Sequence, residues 1–186
     1  MKKLLMGLTV FSTFSVAASE LPELDALLQD PAHQKYEEAL KAEVISTHEN
    51  YQLYLETLRN NGEVVPLAPA PPISYLEIRG VLSAQYQQWD YVDPSSFSTN
   101  QNHGGEFYAV TVEYGYATPA SRRFVVNGSP LKLYTSKNIT DAGNVVIGFI
   151  NYWHNTQTSF TGGTSTYQGT SINFPYNKED DRLYIR

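Results

Sequence analysis

Residues 107–116 read FYAVTVEYGY, and this stretch decides the fold class of the chain. Large side chains occupy every second position, and a period of two places alternate residues on opposite faces of a β-strand. One face is formed by Tyr108, Val110, Val112, Tyr114 and Tyr116, and the other by Ala109, Thr111 and Glu113. The stretch therefore predicts a β-strand with two different faces.

Further short strands are predicted on both sides of it, at residues 73–82, 123–126, 131–134, 145–153 and 183–186. Asn127-Gly128 supplies the positive φ angles of a tight turn, so residues 123–134 are expected to form a hairpin. Pro130 indicates that this hairpin lies at a sheet edge. Residues 145–153 are almost all apolar or aromatic, which is typical of a strand buried on both faces. Turns are expected at Gly162-Gly163 and at Gly169.

The segment before these strands has a different character. Residues 19–62 hold nine acidic and three basic side chains. Apolar residues recur there at steps of three or four, which is the period of one helix face; they are Tyr36, Leu40, Val44, Tyr51, Leu55 and Leu58, with Thr47 filling the gap. Asp30-Pro31 is a favourable helix start and Asn60-Asn61-Gly62 a favourable stop. A long amphipathic helix is therefore predicted over residues 31–60.

These patterns divide the chain into four parts. Residues 1–18 combine a basic start, an apolar run and small residues, as in a secretory signal peptide. Residues 19–62 form the acidic helical segment, residues 63–72 a Pro-rich linker and residues 73–186 the β-rich domain. The predicted fold is mainly β: an antiparallel β-sandwich or barrel-like domain preceded by one long amphipathic α-helix.

Composition excludes several classes of function. The formal net charge is −6 and there is no basic stripe, so nucleic acid is not expected as a partner. There is no cysteine, which excludes a disulfide framework and thiol catalysis. No cofactor, no metal and no stable membrane anchor are predicted. A secreted or periplasmic protein is expected.

Aromatic residues next to polar ones suggest a binding face. Trp89-Asp90-Tyr91 and Trp153-His154 place rings beside hydrogen-bonding groups, and His103 ends a polar loop. Rings pack on the apolar faces of sugars and on protein surfaces, while polar neighbours orient the ligand. Trp89, Tyr91, His103, Trp153 and His154 are the predicted binding residues. The alternative is that these rings belong to the core, most readily Trp153.

Catalysis has weaker support. His103 precedes two glycines and lies near Asp90, Asp93 and Glu106, so a hydrolase using His103 with one of these carboxylates is an alternative. No Gly-x-Ser-x-Gly motif is present.

Three other polar features are interpreted separately: the histidines of the helix, the charged residues 178–182 and the Thr/Ser-rich residues 156–171. His33 and His48 on the helix are expected to be solvated, and residues 178–182 are expected to form a solvated turn. A membrane-active toxin, using the Thr/Ser-rich residues 156–171, is a second alternative.

The β-rich part of the chain resembles a family of small secreted bacterial proteins catalogued as a domain of unknown function. The resemblance rests on residues 68–73, 103–105, 112–116, 127–128, 148–153, 167–177 and 185–186, and spans about residues 68–186. It implies secretion and a compact domain, but no activity. The leading hypothesis is a non-catalytic binding protein that recognises a glycan or another protein's surface. The helix is expected to fold back on the domain, to associate with a second copy, or to be a removable pro-segment.

Overall fold

The structure, a computed structural model, describes residues 20–65 and 71–186. The predicted signal peptide, residues 1–18, and the centre of the predicted linker, residues 66–70, lie outside the described residues.

Two helices precede nine strands in the described part of the chain. The helices are α1 (Leu24–Leu27) and α2 (Pro31–Asn60). The strands are β1 (Tyr75–Ser83), β2 (Asp90–Tyr91), β3 (Phe107–Tyr114), β4 (Arg123–Val126), β5 (Ser129–Pro130), β6 (Lys132–Thr140), β7 (Val146–Asn155), β8 (Gly163–Thr170) and β9 (Lys178–Ile185). The strands form two antiparallel sheets, in the orders β2-β1-β3-β7-β6 and β5-β4-β8-β9. Of the two predicted arrangements, the sandwich is the one observed.

The alternation in β3 explains how the layers pack. Phe107 and Ala109 point into an apolar cluster between the two sheets, together with Phe124 and Leu183 of the second sheet. The opposite face of β3 contributes Tyr108, Val110, Val112 and Tyr114 to a second cluster, which includes Leu40 and Val44 of α2. The molecule therefore has three layers: α2, the five-stranded sheet and the four-stranded sheet.

The predicted helix is confirmed at both ends. Asp30 Oδ1 accepts a hydrogen bond from the Ala32 backbone N–H at 2.9 Å, and Pro31 occupies the first helical position. Gly62 has a φ of 77°, which ends the helix in a conformation that glycine adopts without strain. The apolar stripe of α2 packs on the five-stranded sheet, so the helix folds back on the β domain. No helix among the described residues is long and apolar enough to cross a membrane.

Three local predictions are wrong. The Asn127-Gly128 turn forms, but its second strand is only Ser129–Pro130, because the chain then crosses to the other sheet as β6. Gly169 lies within β8 and pairs with Glu179 of β9, so it is not in a turn. Residues 178–182 start β9 instead of forming a solvated turn: their charged side chains alternate in exposure because one face of this strand is open to water.

Candidate functional site

The five predicted binding residues lie in different environments. Trp153 is 4% exposed and belongs to the cluster between the two sheets. Trp89 and Tyr91 are half-buried beneath the first turns of α2, and His103 is buried. His154 lines an open cleft. The structure therefore does not bring these five residues together on one face.

The rings of Trp89 and Tyr91 are occupied by α2. The His33 imidazole stacks on Trp89, with ring centroids 4.7 Å apart. Its Nδ1 lies 3.0 Å from the Tyr91 hydroxyl, and its Nε2 lies 2.7 Å from the Tyr152 hydroxyl. Tyr36 stacks on Tyr91 at 3.8 Å. These contacts fix the start of α2 on the sheet.

A second histidine fixes α2 farther along. His48 Nδ1 lies 3.1 Å from the Tyr114 hydroxyl, and Nε2 lies 3.7 Å from Asp141 Oδ2. The expectation that His33 and His48 are solvated is wrong, because both are buried. Their separation of 15 residues is about four helical turns, so both side chains fall on the side of α2 that faces the sheet.

These two histidines predict acid sensitivity. Burial lowers the pKa of His33 and of His48 below the ordinary value of 6.5. The unfolded chain then binds protons that the folded chain does not, so stability is full above pH 6.5 and falls as the pH drops below it. Each histidine contributes up to about 1.4 kcal/mol per pH unit. We expect urea titrations at pH 7 and pH 5 to show this loss, and His33→Gln to reduce it. Gln34→Ala, on the exposed side of the same helix, is the control. If His33→Gln lost as much unfolding free energy between pH 7 and pH 5 as the unmodified protein, His33 would not be a source of the acid sensitivity.

The structure brings His103 to one of its three candidate carboxylates. His103 Nε2 lies 3.2 Å from Asp90 Oδ2, and His103 Nδ1 lies 3.1 Å from the Ser83 hydroxyl. Asp93 is exposed, and Glu106 lies beside His154 instead, at 3.5 Å between Oε2 and Nε2. Serine, histidine and aspartate thus form one hydrogen-bonded chain. Ser83 was not among the predicted site residues, because it is 20 residues from His103.

Burial determines what this chain of groups can do. Ser83 is 0% exposed, and its Oγ accepts a hydrogen bond from the Tyr86 backbone N–H at 3.0 Å. Asp90 Oδ2 also accepts from the Gln101 backbone N–H at 2.7 Å. A substrate would have to reach an enclosed hydroxyl. In the observed conformation these groups hold the loop before β3 against β1 and β2.

An open cleft of about 580 Å³ lies at the end of the five-stranded sheet where β3 begins and β7 ends. We call it the Tyr134 cleft; its lining includes Glu20, Glu23, Glu106, Tyr108, Tyr134 and His154. Tyr108 and His154 are paired across β3 and β7, so they share one face, and their ring centroids lie 4.7 Å apart. Tyr134 comes from β6 and meets Tyr108 edge to face at 5.9 Å. Three adjacent strands therefore build the aromatic wall.

The polar groups of the Tyr134 cleft are not all satisfied internally. His154 Nε2 is buried yet makes no hydrogen bond with any described residue, and its nearest carboxylate oxygen belongs to Glu106. The Tyr134 side chain is 42% exposed. The cleft thus offers one ring that is open to solvent, while the His154 nitrogen beside it is buried. An exposed ring of this kind is available to a ligand.

Sequence reasoning identified His154 and Glu106 but missed the two tyrosines. Tyr108 and Tyr134 both fell in predicted strands, and period two placed Tyr108 on a defined face. Their meeting depends on β6 pairing with β7 rather than with β4, which local sequence does not specify. Within the described part of the chain, histidines and carboxylates nowhere converge in a group of three or more that would hold a metal ion.

The fold and the cleft define a two-sheet β domain with a helical outer layer and an open cleft lined by aromatic residues. The chain belongs to the family described as "Domain of unknown function (DUF4879)", whose model matches residues 68–185. No curated protein matches the chain, and no solved structure matches it. The matched range agrees with the span of about residues 68–186 expected from the resemblance. Helix α2 lies outside the matched range.

Proposed function

We propose that the chain is a non-catalytic binding protein that acts in the periplasm or after secretion, and that its ligand site is the Tyr134 cleft. The ligand is a glycan or part of another protein's surface. The observation that carries this proposal is the wall of Tyr108, Tyr134 and His154 beside an open volume of about 580 Å³. Aromatic rings with a few polar groups in a concave site are typical of ligand pockets. The signal-like residues 1–18 support export.

Binding is favoured over the hydrolase alternative by the accessibility of the two sites. The His103 group is enclosed, with Ser83 at 0% exposed and His103 at 2%. The Tyr134 cleft is open and contains a solvent-accessible ring. A site that must meet a large ligand outside the cell needs that access.

The test is a binding screen against glycans and peptides with one cleft variant and one matched control. Tyr134→Ala removes a ring that is 42% exposed within the cleft, and Tyr184→Ala removes one that is 50% exposed on β9. We expect Tyr134→Ala to weaken any specific binding about tenfold or more, since exposed aromatic anchors often dominate interfaces. Tyr184→Ala should bind as the unmodified protein does.

Two results would contradict the proposal. One is specific binding that both variants retain in full, which would place the site elsewhere. The other is the absence of binding to every glycan and peptide in the screen by a folded protein. Far-ultraviolet circular dichroism of each variant confirms that the fold is retained.

A further inference from the structure

We propose that the Tyr134 cleft binds the cationic end of a basic side chain, a lysine ammonium or an arginine guanidinium, presented by a protein or peptide partner. This inference rests on the proposed function and narrows its ligand to one chemical class. It is supported by the charge, the rings and the size of the cleft.

The lining of the Tyr134 cleft carries negative charge. Glu20, Glu23 and Glu106 line the cleft, and no lysine or arginine does so among the described residues. Lys132 lies opposite His154 in the register of β6 and β7, but it is exposed and outside the lining. The whole chain has a formal net charge of −6, which attracts cationic partners at long range. A cationic ligand is attracted by these carboxylates in a way that a neutral sugar is not, and an anionic ligand is repelled.

The aromatic rings of the cleft lie at an angle to each other. Tyr134 is 42% exposed and meets the buried Tyr108 ring at 73° with centroids 5.9 Å apart, so the two rings do not form a flat platform. The face of an aromatic ring attracts a cation within about 6 Å of its centroid. The exposed Tyr134 ring beside carboxylates suits a lysine ammonium or an arginine guanidinium, and the alkyl part of such a side chain also packs on the ring.

The size of the cleft and its polar groups suit an organic cation. About 580 Å³ is within the usual range for small-ligand pockets and accommodates a lysine or arginine side chain with its backbone. The carboxylates and His154 do not converge as metal ligands in the described part of the chain, so an organic cation is expected. The second cavity of similar size, beside His48, contains no tyrosine, tryptophan or phenylalanine in its lining.

The test is a nuclear magnetic resonance titration of the protein with pairs of small probes. N-acetyl-arginine amide is compared with the neutral N-acetyl-citrulline amide, and N-acetyl-lysine amide with its Nε-acetylated form. We expect saturable shifts of the Tyr108, Tyr134 and His154 ring signals with both cationic probes. The neutral member of each pair should bind at least about tenfold more weakly. Added salt should lower the affinity of the cationic probes for the cleft.

Carboxylate variants locate the charge that binds. Glu106→Gln should lower the affinity for the cationic probes about tenfold. Asp93 is an exposed carboxylate outside the cleft, so Asp93→Asn should leave that affinity unchanged. Glu23→Gln replaces Glu106→Gln as the test if the latter does not fold. Equal binding of arginine and citrulline probes, or no loss in the cleft carboxylate variant, would overturn the inference.

The same measurements separate this inference from the proposed function. If neutral glycans bind and Tyr134→Ala abolishes that binding, while cationic probes do not bind, the inference is wrong and the proposed function stands. If no probe, glycan or peptide moves the cleft signals, both are wrong.

Discussion

Replacing Arg122 by alanine is expected to lower the free energy of unfolding by about 3–5 kcal/mol, because it leaves a buried carboxylate without its counter-charge. Glu113 is 0% exposed and lies on β3. Its two carboxylate oxygens accept hydrogen bonds from Arg122 Nε, at 3.2 Å, and from Arg122 Nη2. The Tyr167 hydroxyl donates to the same carboxylate at 2.5 Å. Chemical denaturation measures the loss.

The loss should depend on pH in a defined direction. Burial raises the pKa of Glu113, and Arg122 opposes that rise. Without Arg122 the pKa rises further, so the folded state holds a proton that the unfolded state releases. Stability is then retained at low pH and lost as the pH increases. The loss of unfolding free energy in Arg122→Ala, relative to the unmodified protein, should therefore be larger at pH 8 than at pH 5.

The adjacent residue provides the control for this variant. Arg123 is exposed, so Arg123→Ala should change the free energy of unfolding by no more than about 0.5 kcal/mol. A loss below about 1 kcal/mol for Arg122→Ala at both pH values would mean that the carboxylate is not enclosed as described.

The second large effect is expected in the helix. Leu40 is 1% exposed and lies in the apolar cluster between α2 and the five-stranded sheet. Leu40→Ala removes that packing and leaves a cavity, so we expect a loss of about 2–5 kcal/mol. Leu53 is on the same helix but 61% exposed, and Leu53→Ala should cost no more than about 0.5 kcal/mol.

This pair of variants also tests whether the helix and the sheets unfold as one unit. Circular dichroism follows α2, and tryptophan fluorescence follows Trp89 beneath the helix and Trp153 between the sheets. Coincident transitions are expected, since one apolar cluster joins the helix and the sheet. Equal, small effects of the two leucine variants would instead mean that α2 does not pack on the sheet. A helix integrated in this way is not expected to leave as a pro-segment without a loss of stability.

Much of the fold follows from periodicity and turn chemistry in the sequence. The period of two in residues 107–116 predicted β3 and assigned the faces of Phe107–Tyr114 correctly. The strand ends at Tyr114, because Gly115 has a φ of 98°, so the prediction for Tyr116 was wrong. A period of three to four predicted α2. Asp30-Pro31 and Gly62 marked the ends of the helix, because capping depends on residues close in sequence. The errors lie where non-local pairing overrides a local pattern. The chain after Pro130 leaves its hairpin for the other sheet, and the charged residues 178–182 form a strand because β8 provides its partner.

The candidate site was less predictable than the fold. The sequence by itself determined a set of short antiparallel strands, one amphipathic helix and the residue types available for binding, since these depend on composition and on spacing along the chain. Only the tertiary structure decided that α2 covers Trp89 and Tyr91, that Ser83 and Asp90 enclose His103, and that Tyr108, Tyr134 and His154 share a cleft. Such contacts join residues that are far apart in sequence. His33 and Tyr152, which hold α2 on the sheet, are 119 positions apart. Strand order and layer packing bring such residues together, and neither is encoded in any local stretch of the chain.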